Sequence, residues 1–192
     1  MKIVRDIVVI GAGLGGLSAI AKMASSWPKE LPVAVLIALA TEDQPADTVL
    51  QIIDSYASFH VSFAIHDKLI EPGHIYVSPL GKHLAIGRLG VTRIDEPSFF
   101  DTVKPSVNRL FSAAAVVYGS RVIAVILSGH QYDGVQGLRD VEAAGGVSIV
   151  QDPEDASVPR MPRHVIKNDH PRYSAKASEI APLVQRLIRG ET

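Results

Sequence analysis

The sequence predicts a three-layer α/β domain with a mostly parallel, doubly wound sheet and a small antiparallel β excursion in the middle. Ile7-Val8-Val9-Ile10 and the stretches 33–39 and 122–127 are unbroken apolar runs, and 147–150 is a further short strand-like stretch. Strands buried on both faces read this way. Apolar residues at helical spacing follow these runs, and alternating strands and helices need crossover connections, which build parallel sheets.

The first run ends at Gly11-Ala12-Gly13-Leu14-Gly15-Gly16, a tight turn between strand and helix. Leu17, Ile20, Ala21 and Ala24 carry the helix, and Trp27-Pro28 stops it. After the second strand, Val49, Ile52, Ile53 and Tyr56 predict another amphipathic helix. The stretches 60–65, 75–77 and 83–86 are short and β-like, separated by Pro72-Gly73, Pro79 and Gly81. They are expected to form the antiparallel excursion. Residues 87–104 lack a period and read as a surface loop.

Pro105-Ser106 opens a helix through Val107, Leu110, Phe111 and Ala114. Residues 134–144 form another, closed by Gly145-Gly146. Ile180, Leu183, Val184, Leu187 and Ile188 make the cleanest apolar stripe. No repeat, low-complexity tract or linker divides the chain, so residues 1–192 read as a single domain.

Composition narrows the function. A net charge of -1 argues against nucleic-acid binding, which needs a basic excess. The absence of Cys excludes disulfides and thiolate metal sites. His60, His66, His74, His83, His164 and His170 lack metal-ligand spacing, so neither a metal nor a cofactor is expected. The stretch before the first strand is too short for a signal peptide, and the longest apolar run, 33–40, is too short to span a bilayer. A cytoplasmic protein without membrane insertion is expected.

The glycine turn satisfies GxGxxG, whose free amides at a helix start suit a pyrophosphate or another anion at Gly15 and Gly16. A dinucleotide site also wants an acidic residue at the end of the second strand. That strand ends in Ala38-Leu39-Ala40, with Glu42 beyond it. Dinucleotide binding therefore stands as the alternative reading.

Further blocks carry more information. They are Pro72-Gly73-His74-Ile75-Tyr76-Val77-Ser78-Pro79, Gly81-Lys82-His83-Leu84, Pro105-Ser106-Val107-Asn108-Arg109-Leu110-Phe111 and Val125-Ile126-Leu127-Ser128-Gly129-His130-Gln131-Tyr132-Asp133-Gly134. Gln151-Asp152-Pro153 and Met161-Pro162-Arg163 follow in order. Together they resemble the catalytic domain of CheB-type chemotaxis protein-glutamate methylesterases over residues 6–188. The resemblance implies hydrolysis of glutamate methyl esters on chemoreceptors, and a chemoreceptor or other signalling protein as partner. The family commonly carries a receiver domain ahead of the esterase; with Met1 so close to the first strand, none is expected here.

The resemblance also implies a Ser-His-Asp triad, and this sequence departs from it. The family's G-A-S-T-G-G turn places the nucleophile at Gly13, and the His position falls at Ala40. Only the Asp remains, as Asp133. Leu14, Thr41 and His130 replace a Thr and two Met residues of the family's site, and Gln131 and Tyr132 complete its oxyanion loop. Glycine cannot attack an ester and alanine cannot take a proton, so activity is expected to be lost or altered. Asp133 reads more readily as a turn cap before Gly134 than as a catalytic group. The His130 imidazole is either a new acid, base or ligand, or a loop residue without a role. Ser18 is expected on a different helical face from Gly13, a poor substitute nucleophile. Arg160, Arg163 and His164 read as a solvated loop, with an acidic-partner patch as the alternative.

Overall fold

The computed structural model describes residues 4–41 and 44–191. The chain begins with β1 (Ile7–Ala12), α1 (Gly16–Ser25), β2 (Ala34–Leu39) and α2 (Ala46–Tyr56). The middle holds β3 (His60–Phe63), β4 (His74–Val77), β5 (His83–Gly87) and β6 (Val91–Asp95). Then come α3 (Val107–Tyr118), β7 (Val122–Ile126), α4 (Val135–Ala143) and β8 (Val147–Gln151). The last elements are α5 (Arg160–Asn168), β9 (Tyr173–Ala175) and α6 (Ala177–Ile188).

Seven strands pair in the order β3-β4-β2-β1-β7-β8-β9, and every pairing among them is parallel. β5 and β6 form a separate antiparallel pair, the expected excursion. Its membership differs from the expectation: β3 and β4 join the main sheet instead. Short strands flanked by Pro and Gly resemble hairpins, yet residues 64–73 form a longer connection that returns the chain in the same direction. Residues 87–104 are likewise not all loop, because β6 lies among them. Val91-Thr92-Arg93-Ile94-Asp95 holds only two apolar residues and does not alternate, so the strand has no periodic signal.

Alternate residues of β1 explain the layering. Val8 and Ile10 face α1, α2 and α6, whose Ile20, Ile53 and Ile180 complete one core. Ile7 and Val9 face α3, α4 and α5, whose Phe111, Leu138 and Val165 complete the other. The central strands are buried along their whole length, so a polar side chain near them is held at the sheet's edge loops, where the site lies. Among the described residues, no helix is long and apolar enough to cross a membrane.

Candidate functional site

The chain leaves β1 toward β2 on one side and later returns to β7 on the other. Open parallel sheets bind ligands outside the carboxyl ends of the strands at such a switch point. Here the turns after β1, β2 and β7 converge. The Gly13 amide donates to the Ser128 carbonyl (2.9 Å), and the Ala40 amide to the Ala12 carbonyl (3.0 Å). Gly15 has φ of +79°, a left-handed conformation that favours glycine and lets the turn enter α1.

These turns enclose a pocket of about 320 Å³. Gly13 and Ala40, the two positions expected to have lost their triad side chains, both line it, with Leu14, Thr41 and His130. Leu17 and Ile52 make its walls largely apolar. Ser18 also lines it, contrary to the expectation from helical spacing. Gly13 precedes the helix, so the rule for residues within one helix does not separate the two. No hydrogen bond joins Ser18 to an imidazole among the described residues. Thr41 Oγ1 and His130 Nδ1 are buried without a hydrogen-bond partner.

The Gly13 backbone would accept any L-residue. What occupies the side-chain space is the end of the flexible Gln131 side chain, whose Oε1 a Cβ on Gly13 would displace, and the Gly129 Cα lies at 3.2 Å. Gln131 Oε1 is itself buried and unpartnered. The sequence reading placed Gln131 in the oxyanion loop without assigning it this role. The signal was available, because Gln131 stands where the family's G-M-G block has its second Gly.

Asp133 behaves differently. It is buried but does not line the pocket. Its Oδ2 accepts from the Val107 amide (2.6 Å), and its Oδ1 from the amides of Asn108 (3.2 Å) and Gly134 (2.9 Å). One carboxylate thus satisfies two backbone donors at the start of α3 and, as a turn cap, the Gly134 amide ahead of α4. Neighbouring groups hold the same helix end. The Ser106 amide donates to Nδ1 of fully buried His83 (3.0 Å). His83 Nε2 faces Asp101 at 3.3 Å. The Ser98 amide donates to Asp101 (2.6 Å) and, with Arg109 and His83, lowers its pKa to about 2.

The remaining expected residues separate. Gly16 is buried behind the pocket, and a Cβ there would meet the Ala12 Cβ at 2.6 Å, so it serves close helix–strand packing. Its amide donates to the Gly13 carbonyl (2.8 Å), which leaves two of the turn's donors, those of Gly13 and Gly16, already engaged. Glu42 lies outside the described residues. Tyr132 points away from the pocket and, with Arg160, Arg163 and His164, lines a second hollow. The last three lie on helix α5, not in a loop. Pro162 sits within the first helical turn, where a missing amide costs least.

The CheB methylesterase family model matches residues 8–184. A protein-glutamate methylesterase/protein-glutamine glutaminase 2 of Anaeromyxobacter dehalogenans is 33% identical over 96% of this chain and 54% of its own length. The protein-glutamate methylesterase FrzG of Myxococcus xanthus is 30% identical over 92% of this chain and 51% of its own. The chain therefore spans about half the length of these relatives. A putative protein-glutamate methylesterase/protein-glutamine glutaminase of Leptospira interrogans is 29% identical and matched over 94% of its length. The crystal structure of the Thermotoga maritima CheB methylesterase catalytic domain superposes with a TM-score of 0.87 at 28% identity, covering 96% of this chain and all of that one.

Proposed function

The chain belongs to the CheB methylesterase family, and on that premise we propose that its cleft binds a chemoreceptor or related signalling segment without hydrolysing an ester. The observation that carries this reading is at the nucleophile position, where Gln131 Oε1 fills the space beside Gly13 that a side chain would need. Ester hydrolysis by acyl transfer requires a hydroxyl to attack, a base to accept its proton and donors for the oxyanion. Gly13 and Ala40 supply neither of the first two. The Asp133 oxygens are occupied by backbone amides of α3 and Gly134, away from any imidazole. Loss of triad members leaves at most about 10³–10⁴-fold acceleration over water from binding and oxyanion donors.

What remains is an apolar pocket with polar atoms at its rim. It suits a side chain with an aliphatic stem and a polar end, as a glutamyl ester or amide has. A second reading, altered hydrolysis through Ser18 and His130, is favoured by their sharing this pocket. Dinucleotide binding has less support, because two amides of the glycine turn are engaged within the protein.

A fluorophosphonate probe reacts with activated serines and separates these readings. The binding reading expects no adduct on Ser18, together with calorimetric binding of a methyl-esterified receptor-helix peptide. An adduct at Ser18 that disappears in H130A would overturn it in favour of the second reading. A melting temperature raised by NAD but not by the peptide would favour the dinucleotide alternative.

A further inference from the structure

We infer that the solvent face of α5, beside the cleft, is a docking surface for an acidic helical segment of a partner protein. Arg160, Arg163, His164 and Lys167 stand at i, i+3, i+4 and i+7 of this helix. That spacing places them on one face. The opposite face is fixed, with Met161 and Val165 fully buried in the core. The chain as a whole has 19 Lys and Arg against 20 Asp and Glu, so this concentration of cations is local.

Little inside the protein neutralises it. Arg163 pairs with Glu154 at 3.0 Å, but both side chains are exposed, and such pairs exchange readily for a better partner. The Arg160 guanidinium stacks over the Tyr132 ring at 4.8 Å, which holds it without cancelling its charge. Lys167 has no ion pair among the described residues. Between Tyr132 and α5 lies an open hollow of about 600 Å³.

An acidic helix matches this stripe better than nucleic acid or lipid does. Nine residues of helix present a strip about 13 Å long, the length over which carboxylates at i, i+3, i+4 and i+7 recur on a partner. A duplex or a bilayer would need a broader basic surface than one short helix gives. The stripe is also tied to the cleft. The Met161 amide donates to the Gly129 carbonyl (2.9 Å), and the Gly129 amide to the Val158 carbonyl (3.0 Å). These bonds fix α5 to the loop whose His130 lines the pocket. An acidic segment on α5 would therefore rest on a helix joined through its backbone to the pocket loop. This inference goes beyond the proposed function and holds whether or not the pocket turns over esters.

Fluorescence anisotropy with a labelled alanine-based helical peptide tests it. One probe carries Glu at i, i+3, i+4 and i+7, and its control carries Gln there. The Glu probe should bind and weaken with salt, and the Gln control should not bind. R160E/K167E should weaken the Glu probe by about tenfold or more, whereas K29E/R189E, an equal charge change elsewhere on the surface, should not. Melting curves of both variants confirm that they fold; if R160E/K167E does not, R160Q/K167Q replaces it with the same expected direction. Equal binding of the Glu and Gln probes, or equal effects of the two charge reversals, would overturn the inference. So would tighter α5-dependent binding of a DNA duplex or of phosphatidylserine vesicles than of the Glu probe.

Discussion

The two sides of the loop after β7 have been treated differently. On one side, Asp133, Ser106 and His83 meet the start of α3, and the backbone donors there find partners. On the other, the same loop turns His130 and Gln131 toward the glycine turn, where buried side-chain polar atoms of Thr41, His130 and Gln131 have no hydrogen-bond partner among the described residues; on the first side His83 Nε2 also lacks one and has only the charged Asp101 nearby. Buried polar groups are nearly always paired, and their exceptions concentrate where a site once did or still does something. The hydrogen bonds of Asp133 give it a structural duty. Its carboxylate supports a helix end, a duty independent of any ester.

The largest test of this contrast is D133A. Removing the carboxylate strands three backbone donors, two at the start of α3 and one at Gly134, and a loss of about 3 kcal/mol is expected in chemical denaturation. A loss below about 0.5 kcal/mol would mean that the cap carries no weight. Next in size is the pairing of Gly13 with Gln131. G13S alone should destabilise by about 1 kcal/mol, because the flexible Gln131 amide must swing aside and the new side chain crowds Gly129. G13S/Q131G should recover most of that loss. A double-mutant cycle with no coupling would show that Gln131 does not compete for the space.

Smaller effects are expected at the unpaired side. T41V removes an orphaned hydroxyl while keeping shape, so it should be neutral or stabilising by about 0–1 kcal/mol. Clear destabilisation would instead reveal a partner for Thr41. The last effect is confined to acid. The Asp101 carboxyl titrates near 2 in the folded protein and near 3.9 when unfolded. Its contribution is therefore complete above about pH 4 and disappears as pH falls toward about 2. D101N should flatten the melting temperature over that window relative to the parent protein. Identical acid limbs in the two proteins would remove Asp101 from the account.

Much of the scaffold was legible because its signals are local and repeated. Unbroken apolar runs identified the central strands, and ordered motif blocks located Gly13 and Ala40, which do share one pocket. What stayed hidden depends on pairing partners. β3 and β4 carry the same residue types whether they run parallel or antiparallel, and β6 is too polar to announce itself. The basic residues of α5 were read as a solvated loop; the structure puts them on a helix whose first turn tolerates Pro162. The Gln131 amide was missed because a substitution far along the chain from Gly13 matters only once the β1 and β7 turns meet. Ser18 was misplaced by applying helix geometry across the end of a helix.

Single-turnover methanol release from a methyl-esterified chemoreceptor fragment, with protein in excess, tests the central claim most directly. A cleft whose Ser18 and Thr41 hydroxyls are not hydrogen-bonded to the His130 imidazole should release methanol no faster than binding and oxyanion donors allow, far below the roughly 1–10³ s⁻¹ of ordinary enzymes. Release within that range by the unaltered protein would contradict the account, because hydrolysis would then be proceeding through groups it has left out.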